Sequence, residues 1–174
     1  MTLYRIREVK REIRVLGVAA RRATHKGHTV VGVIFRGGLY LDGVLRVESE
    51  SRDITGDVVE MIVSSPHHPQ VRVILLDGEL LDGATADLAV LSEAVSRPII
   101  AFNPTGMVAP REGLVERFEM DLNEAPVPVL SLGIDRAVAE RIFSRVSKRR
   151  GVPEALRLAC LLVSAVDKID QHNL

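Results

Sequence analysis

Asp77 is the acidic residue whose position in this sequence best suits chemistry. It ends the largely apolar run 71–76 and is followed by Gly78. A run of this kind is typical of a strand buried on both faces, and a carboxylate at its end is placed to hold a divalent cation. We therefore predict a metal or phosphate site at Asp77. The alternative is that the Asp-Gly pair only forms the turn after the strand.

The first predicted strand, 13–19, ends without a carboxylate. Its last residue is Ala19, and Ala20 follows it. Two divalent ions about 3.5–4 Å apart need shared oxygen ligands from neighbouring strands. The two alanines therefore argue against a standard two-metal site beside Asp77.

A cationic segment follows these alanines. It contains Arg21, Arg22 and Lys26, together with His25 and His28. An arginine binds a phosphate group directly through paired hydrogen bonds, without a metal. We predict that Arg21, Arg22 and Lys26 bind phosphate or nucleic acid. The alternative is a solvated loop in which one arginine pairs with the strand-end carboxylate.

Other chemically capable residues carry weaker predictions. Cys160 is the only cysteine and shares a predicted helix face with Leu156 and Val163, which predicts a buried, inert thiol. His67 and His68 are adjacent in a turn between prolines, and no further ligand follows at zinc spacing. Neither feature predicts a metal site.

Apolar periodicity predicts the elements that position these residues. Three closely linked strands precede alternating strands and helices, and two helices close the chain. This order predicts an α/β fold with a ribonuclease-H-like mixed β-sheet, in which three antiparallel strands are followed by parallel βα units and helices flank the sheet. The predicted strands are 13–19, 30–36, 39–47, 71–77, 98–102 and an edge strand 127–131. The predicted helices lie at 54–62, 84–96, 114–122, from 135 to 146 and at 154–169.

Composition favours one domain over residues 1–174. The chain is 47% hydrophobic and 26% charged, and its 23 basic residues balance its 23 acidic residues. This excludes a generally basic protein that coats nucleic acid, but not a local basic patch. The first residues lack the apolar run of a signal peptide, and no stretch approaches the ~18 apolar residues of a membrane span. We expect a cytoplasmic protein with no membrane partner.

Three blocks of this sequence resemble a known family. They are VGVIFRGG at 31–38 with LDGVL at 41–45, RVILLDG at 72–78, and GVPEALRLA at 151–159. Together they resemble an uncharacterised, largely archaeal family, the domain of unknown function ninety-nine, which is similar to endonuclease V. The likeness spans about residues 11–166. It implies a single endonuclease-V-like domain and magnesium-dependent cleavage of strands near deaminated bases such as hypoxanthine.

The resemblance implies a set of carboxylates, and this sequence departs from it. Asp77 matches the acid at the end of the fourth strand, whereas Ala19 and Ala20 replace the acids of the first strand. Cys160 occupies the polar position expected on the last helix. The candidates for the middle acid are Glu48, Glu50 and Asp53.

Three functions follow as alternatives. The preferred one is a non-cleaving or weakly active relative, a pseudoenzyme that binds DNA, RNA or another phosphate-bearing ligand through the three basic residues and holds no metal. The second is an active Mg²⁺-dependent endonuclease on inosine-containing DNA or RNA, in which Asp77 holds the metal and Asp53 assists, with or without Glu48. The third is a structural or protein-interaction homo-oligomer such as a homodimer.

Overall fold

The structure is a computed structural model that describes residues 3–23 and 26–172. Nine strands, four helices and a 3-10 turn at 78–80 follow one another in the described part of the chain. They are β1 (Arg14–Arg22), β2 (His28–Arg36), β3 (Tyr40–Ser49), α1 (Thr55–Val63), β4 (Val73–Asp77), β5 (Ala86–Asp87), α2 (Leu88–Val95), β6 (Ile99–Phe102), β7 (Met107–Val108), β8 (Val115–Leu122), β9 (Ala125–Leu132), α3 (Arg136–Val146) and α4 (Glu154–His172).

Seven of these strands form one mixed sheet in the order β3-β2-β1-β4-β6-β9-β8. The first three are an antiparallel meander, β4 and β6 run parallel to β1, and β9 and β8 are again antiparallel. The short β5 and β7 pair separately. The predicted mixed α/β sheet flanked by helices is therefore confirmed.

Two apolar layers hold the sheet between its helices. Successive side chains of a strand point to opposite faces, so Val15 and Leu75 pack with α3 and α4, whereas Leu16 and Ile74 pack with α1 and α2. All five residues of β4 are buried. This is the burial on both faces that its near-continuous apolar run predicts.

Helix α4 lies directly on β1 because Gly17 has no side chain. A Cβ at Gly17 would stand 2.5 Å from the carbonyl carbon of Ala155 and 2.7 Å from the backbone nitrogen of Leu156. Pro153 precedes the helix, where its missing N–H costs no hydrogen bond. The close approach sets α4 beside the carboxyl end of β1.

β8 replaces the short helix predicted for residues 114–122, and that prediction is wrong. Phe118, Met120 and Leu122 alternate toward the core beneath α3 and α4, while the acidic residues between them are exposed. Asn123 and Glu124, with φ of 49° and 66°, form the two-residue turn to β9. Phe118 and Leu122 satisfy both periodicities, but the alternation with Met120 fits only a strand.

β9 is not the predicted edge strand, because it lies between β6 and β8. The carbonyl of Pro128 accepts a hydrogen bond from the backbone N–H of Asn103, at 2.9 Å. The N–H and C=O of one strand residue point to the same side, so the missing donor faces the space beyond the end of β6, whose last pair is Phe102 with Val129. Pro128 therefore removes no ladder hydrogen bond, and the actual edges are β3 and β8.

Within the described residues, no helix combines the length and apolar character that a membrane span requires.

Candidate functional site

Asp77 occupies a buried position at the end of β4, where 5% of it is exposed. Its Oδ1 accepts hydrogen bonds from the backbone N–H of Glu79 at 3.0 Å and from Nδ2 of Asn103 at 3.1 Å. Burial raises the pKa of Asp77, and these two hydrogen bonds oppose the rise only in part. Neither Arg21 nor Arg22 pairs with this carboxylate, in contrast to the solvated-loop alternative.

Ala19 stands beside Asp77 on the neighbouring strand. β1 and β4 run parallel with Val18 opposite Leu76, so the next pair is Ala19 and Asp77. The two strands lie about 4.8 Å apart, and the side chains of Ala19 and Asp77 both face the α3–α4 side of the sheet. A methyl group therefore occupies the place from which a second carboxylate would reach the same cation.

The other acidic candidates do not converge on Asp77. Glu48 lies on β3, three strand spacings or about 14 Å away across the sheet. Asp53 turns its Oδ1 back to the N–H and hydroxyl of Thr55 at the start of α1, at 3.0 and 2.5 Å. Among the described residues, no group of three or more His, Cys, Asp or Glu side chains is placed to hold a metal ion. The residues present do not fit a two-metal site.

The cationic segment begins inside the sheet rather than in a loop. β1 continues to Arg22, which pairs with His28 of β2, three residues beyond the predicted end of the strand. Alternation along the strand sends Arg21 and Arg22 to opposite faces. Arg21 points to α4, where Nε donates to Asp167 at 3.1 Å and Nη1 to the hydroxyl of Ser164 at 3.2 Å. The ladder with β2 thus separates the two arginines that the sequence places together.

Arg22 lines a cavity of about 430 Å³ on the other side, together with Lys26 and Arg52. We call this cavity, defined by Arg22, Lys26 and Arg52, the cationic pocket. Glu50 is the one carboxylate in its lining among the described residues. The Nε of Arg52 donates to the carbonyl of Gly83 at 2.8 Å, which fixes that side chain at the rim. His25 lies outside the described residues.

His28 and Asp82 connect this pocket to the loop that follows Asp77. Nε2 of the buried His28 lies 3.1 Å from the carbonyl oxygen of Asp82. A carbonyl oxygen only accepts, so we assign the proton of this bond to Nε2, which leaves Nδ1 as a buried acceptor without a partner in the described structure. The carboxylate of Asp82 accepts the backbone N–H of Arg22 at 2.8 Å.

Cys160 is half-buried rather than buried. It lines a smaller cavity of about 210 Å³ with Ala20, Arg21, Glu79 and Asp82. Its side chain packs against the α3–α4 core.

Sequence reasoning missed Asn103 and Arg52. Asn103 follows β6 directly and adopts a left-handed φ of 43°, which brings its amide to the Asp77 carboxylate. The sequence could have indicated Asn103, because it directly follows a strand and the carboxyl ends of adjacent parallel strands meet at one edge of a sheet. No pattern in the sequence indicates Arg52, since only the tertiary fold brings it to the hairpin of β1 and β2.

The fold and this strand-end site define a mixed-sheet α/β protein in which one buried carboxylate has an alanine for its neighbour. The profile of the Endonuclease dU family matches residues 11–121, and the chain belongs to this family. A UPF0215 protein of Methanosarcina mazei is 30% identical, covering 91% of this chain and 92% of its own length. A UPF0215 protein of Methanopyrus kandleri is 31% identical, covering 94% and 96%.

Solved structures show the same fold. A protein of unknown function from Archaeoglobus fulgidus aligns with a TM-score of 0.69 at 20% identity, covering 88% of this chain and 97% of that one. Human endonuclease V aligns with a TM-score of 0.63 at 12% identity, covering 92% and 86%. Endonuclease V of Ciona intestinalis, solved with a 23mer DNA containing an inosine, aligns with a TM-score of 0.57 at 13% identity, covering 90% and 86%. The resemblance to an archaeal endonuclease-V-like family is confirmed.

Proposed function

We propose that this protein binds nucleic acid through phosphate contacts at the cationic pocket and does not cleave it by a two-metal mechanism. One observation carries the proposal: the buried Asp77 has Ala19 beside it, whereas three basic side chains gather at the end of the adjacent hairpin. The local charge therefore favours an anion over a divalent cation.

The construction of the pocket suits phosphate. The planar guanidinium groups of Arg22 and Arg52 present paired donors that match phosphate oxygens, and Lys26 adds a point charge. The hydrogen bonds of Asp82 to Arg22 and His28 hold the pocket before any ligand arrives. Less ordering is then required on binding.

The expected binding depends little on sequence. The chain has two Tyr, four Phe and no Trp, so stacking on bases has few partners. Phosphate contacts dominate affinity in that case and make it strongly dependent on salt. Endonuclease V of Ciona intestinalis, whose fold is similar, was solved with DNA, and this supports nucleic acid as the partner.

A second candidate function is magnesium-dependent cleavage of inosine-containing DNA or RNA. The family name and the position of Asp77 at the end of the fourth strand favour it. In this candidate Asp77 holds the metal and Asp53 assists. Both roles stay predictions.

The binding test compares a triple variant with a control double variant by fluorescence anisotropy on inosine-containing single-stranded DNA and RNA over a series of salt concentrations. Replacing Arg22, Lys26 and Arg52 by Ala is expected to weaken binding at least tenfold. The slope of log K against log salt should fall by about 2, since each single-strand phosphate contact contributes about 0.7. The control replaces two arginines by Ala, Arg117 and Arg141, which are exposed on β8 and α3, and should bind as the wild type does.

The cleavage test incubates the same oligonucleotides, and others containing deoxyuridine, with Mg²⁺ or Mn²⁺. We expect no product. Product that disappears in Asp77→Asn would establish the endonuclease and overturn the non-cleaving proposal. Absence of both binding and cleavage, with a stable dimer by light scattering, would favour the homo-oligomer instead.

A further inference from the structure

A second basic surface lies at the opposite end of the sheet, where the N-terminal segment passes the start of β1 and β4. It is a groove of about 620 Å³ whose lining includes Arg5, Arg7, Lys10 and Arg72. We call the groove defined by these four residues the N-terminal groove. The cationic pocket lies at the other end of β1, about 26 Å away along eight residue steps of the strand. The two sites are therefore separate.

The segment that carries these side chains is fixed to the domain. The backbone N–H of Tyr4 donates to the carbonyl of Gly133 at 3.0 Å, and its hydroxyl donates to the carbonyl of Ser92 at 3.0 Å. Tyr4 and Ile6 pack against the core beneath α3 and α4. Their alternation with the basic residues leaves Arg5 and Arg7 exposed on the same side, about 7 Å apart along the chain.

Basic residues outnumber acidic ones in the described lining of this groove. Arg14, which also lines it, is paired with Asp42 at 2.7 Å. No ion pair joins the four defining residues to a carboxylate anywhere in residues 3–23 and 26–172. Two acidic residues, Glu8 and Glu12, lie in the same lining.

Arg97 adds a further cation beside the groove. It lies beside the groove with Arg5 and Arg72, and its guanidinium donates to the backbone carbonyls of His68 and Val71. Burial lowers the pKa of Arg97, and the neighbouring charge of Arg72 lowers it further. The whole chain has no net charge. The excess is therefore a local arrangement rather than general basicity.

We infer that the N-terminal groove is a second surface for the phosphate groups of a nucleic acid strand, independent of the cationic pocket. Three of its four defining residues are arginines, whose paired donors match the oxygen pairs of phosphate groups. The lining of the groove also follows the N-terminal segment from Arg5 to Lys10, which suits a chain of regularly spaced anions. Because two sites on one molecule raise the effective concentration of a tethered strand, a long oligonucleotide should bind more tightly than a short one.

The experiment starts from the variant in which Arg22, Lys26 and Arg52 are replaced by Ala, so that remaining binding reports on the N-terminal groove. The probe is a fluorescent single-stranded oligonucleotide at low salt. Further replacement of Arg5, Arg7 and Arg72 by Ala should weaken this remaining binding at least tenfold and lower the salt slope by about 2. The control adds Arg117→Ala and Arg141→Ala to the same background and should change nothing. Circular dichroism verifies that each variant is folded.

The outcomes separate this inference from the proposed function. If the starting variant retains no binding, or if the groove replacements leave its binding unchanged, the inference is overturned while the proposed function stands. If only the groove replacements reduce binding, the inference stands and the proposed function fails. ATP and a polyglutamate peptide are tested as competitors. Should either occupy the groove more tightly than the oligonucleotide, the assignment to a nucleic acid strand is wrong.

Discussion

Replacing Ala19 by Asp tests whether the position beside Asp77 is built for one carboxylate or two. Ala19 is fully buried on the same face of the sheet as Asp77, on the adjacent strand. The substitution restores an acid of the kind that endonuclease-V-like proteins are expected to carry here. Without a metal it places two carboxylates about 5 Å apart in a buried site.

The expected cost follows from that separation. Two like charges 5 Å apart repel by about 3 kcal/mol at an effective dielectric constant of about 20. For a chain of this length, such a loss lowers the Tm by about 6–12 °C. Ala19→Asn adds nearly the same volume without the charge, so the difference between the Asp and Asn variants isolates the electrostatic part.

The pH dependence has a definite sign. Burial already raises the pKa of Asp77, and a second carboxylate would raise it further. A group whose pKa is raised on folding favours the folded state when protonated, and loses that contribution as the pH rises through the folded pKa. The difference in Tm between Ala19→Asp and Ala19→Asn is therefore largest at about pH 7 and narrows toward about pH 4.

Thermal denaturation followed by circular dichroism measures both effects, with and without millimolar Mn²⁺. The cation should raise the Tm of Ala19→Asp more than that of Ala19→Asn, because it offsets the repulsion only where two carboxylates face each other. Equal Tm values for the two variants at neutral pH would refute the placement of Ala19 beside Asp77 and, with it, the argument that this position cannot supply a second carboxylate.

Two further predictions concern helix α4. Gly17→Ala should lower the free energy of unfolding by about 1–3 kcal/mol in denaturant titrations, because the new Cβ meets the backbone of Ala155. The control Gly56→Ala, which has open space around it in α1, should be neutral or stabilising in the same titrations. Equal effects of the two substitutions would contradict the close packing of α4 on β1. Glu154→Gln should lower the Tm by about a degree or two at neutral pH, because hydrogen bonds from Arg157 hold the pKa of Glu154 below its usual value. The stability that the Glu154–Arg157 pair contributes is present above the pKa of Glu154 in the unfolded chain and is lost as the pH falls through its pKa in the folded protein. The Tm values of the wild type and Glu154→Gln should therefore converge in acid. A Tm difference that widened in acid would contradict this role of the pair.

The central part of the fold and its strand-end carboxylate were predictable from the sequence because they depend on local signals. The apolar run of β4 ends at Asp77, and burial on both faces leaves few other structures for such a run. The alternation of Phe118, Met120 and Leu122, which indicates a strand, was also a local signal. It was missed because Phe118 and Leu122 are four residues apart, which fits a helix as well. A count of both periods over the whole segment would have favoured a strand.

The cationic pocket was less predictable because its geometry depends on pairing between strands. The sequence places Arg21 and Arg22 side by side, but the ladder with β2 sends them to opposite faces. Arg52 joins Arg22 only through the position of the segment after β3. Contacts of this kind depend on tertiary structure, which no short-range pattern contains.

Asp82 gives the hairpin of β1 and β2 a mechanical connection to the centre of the sheet. One residue accepts the last backbone N–H of β1 through its carboxylate and the ring of His28 through its carbonyl, and it lies five positions after Asp77 on the same loop. The end of the hairpin therefore cannot shift against the loop that follows Asp77 without breaking one of these two contacts.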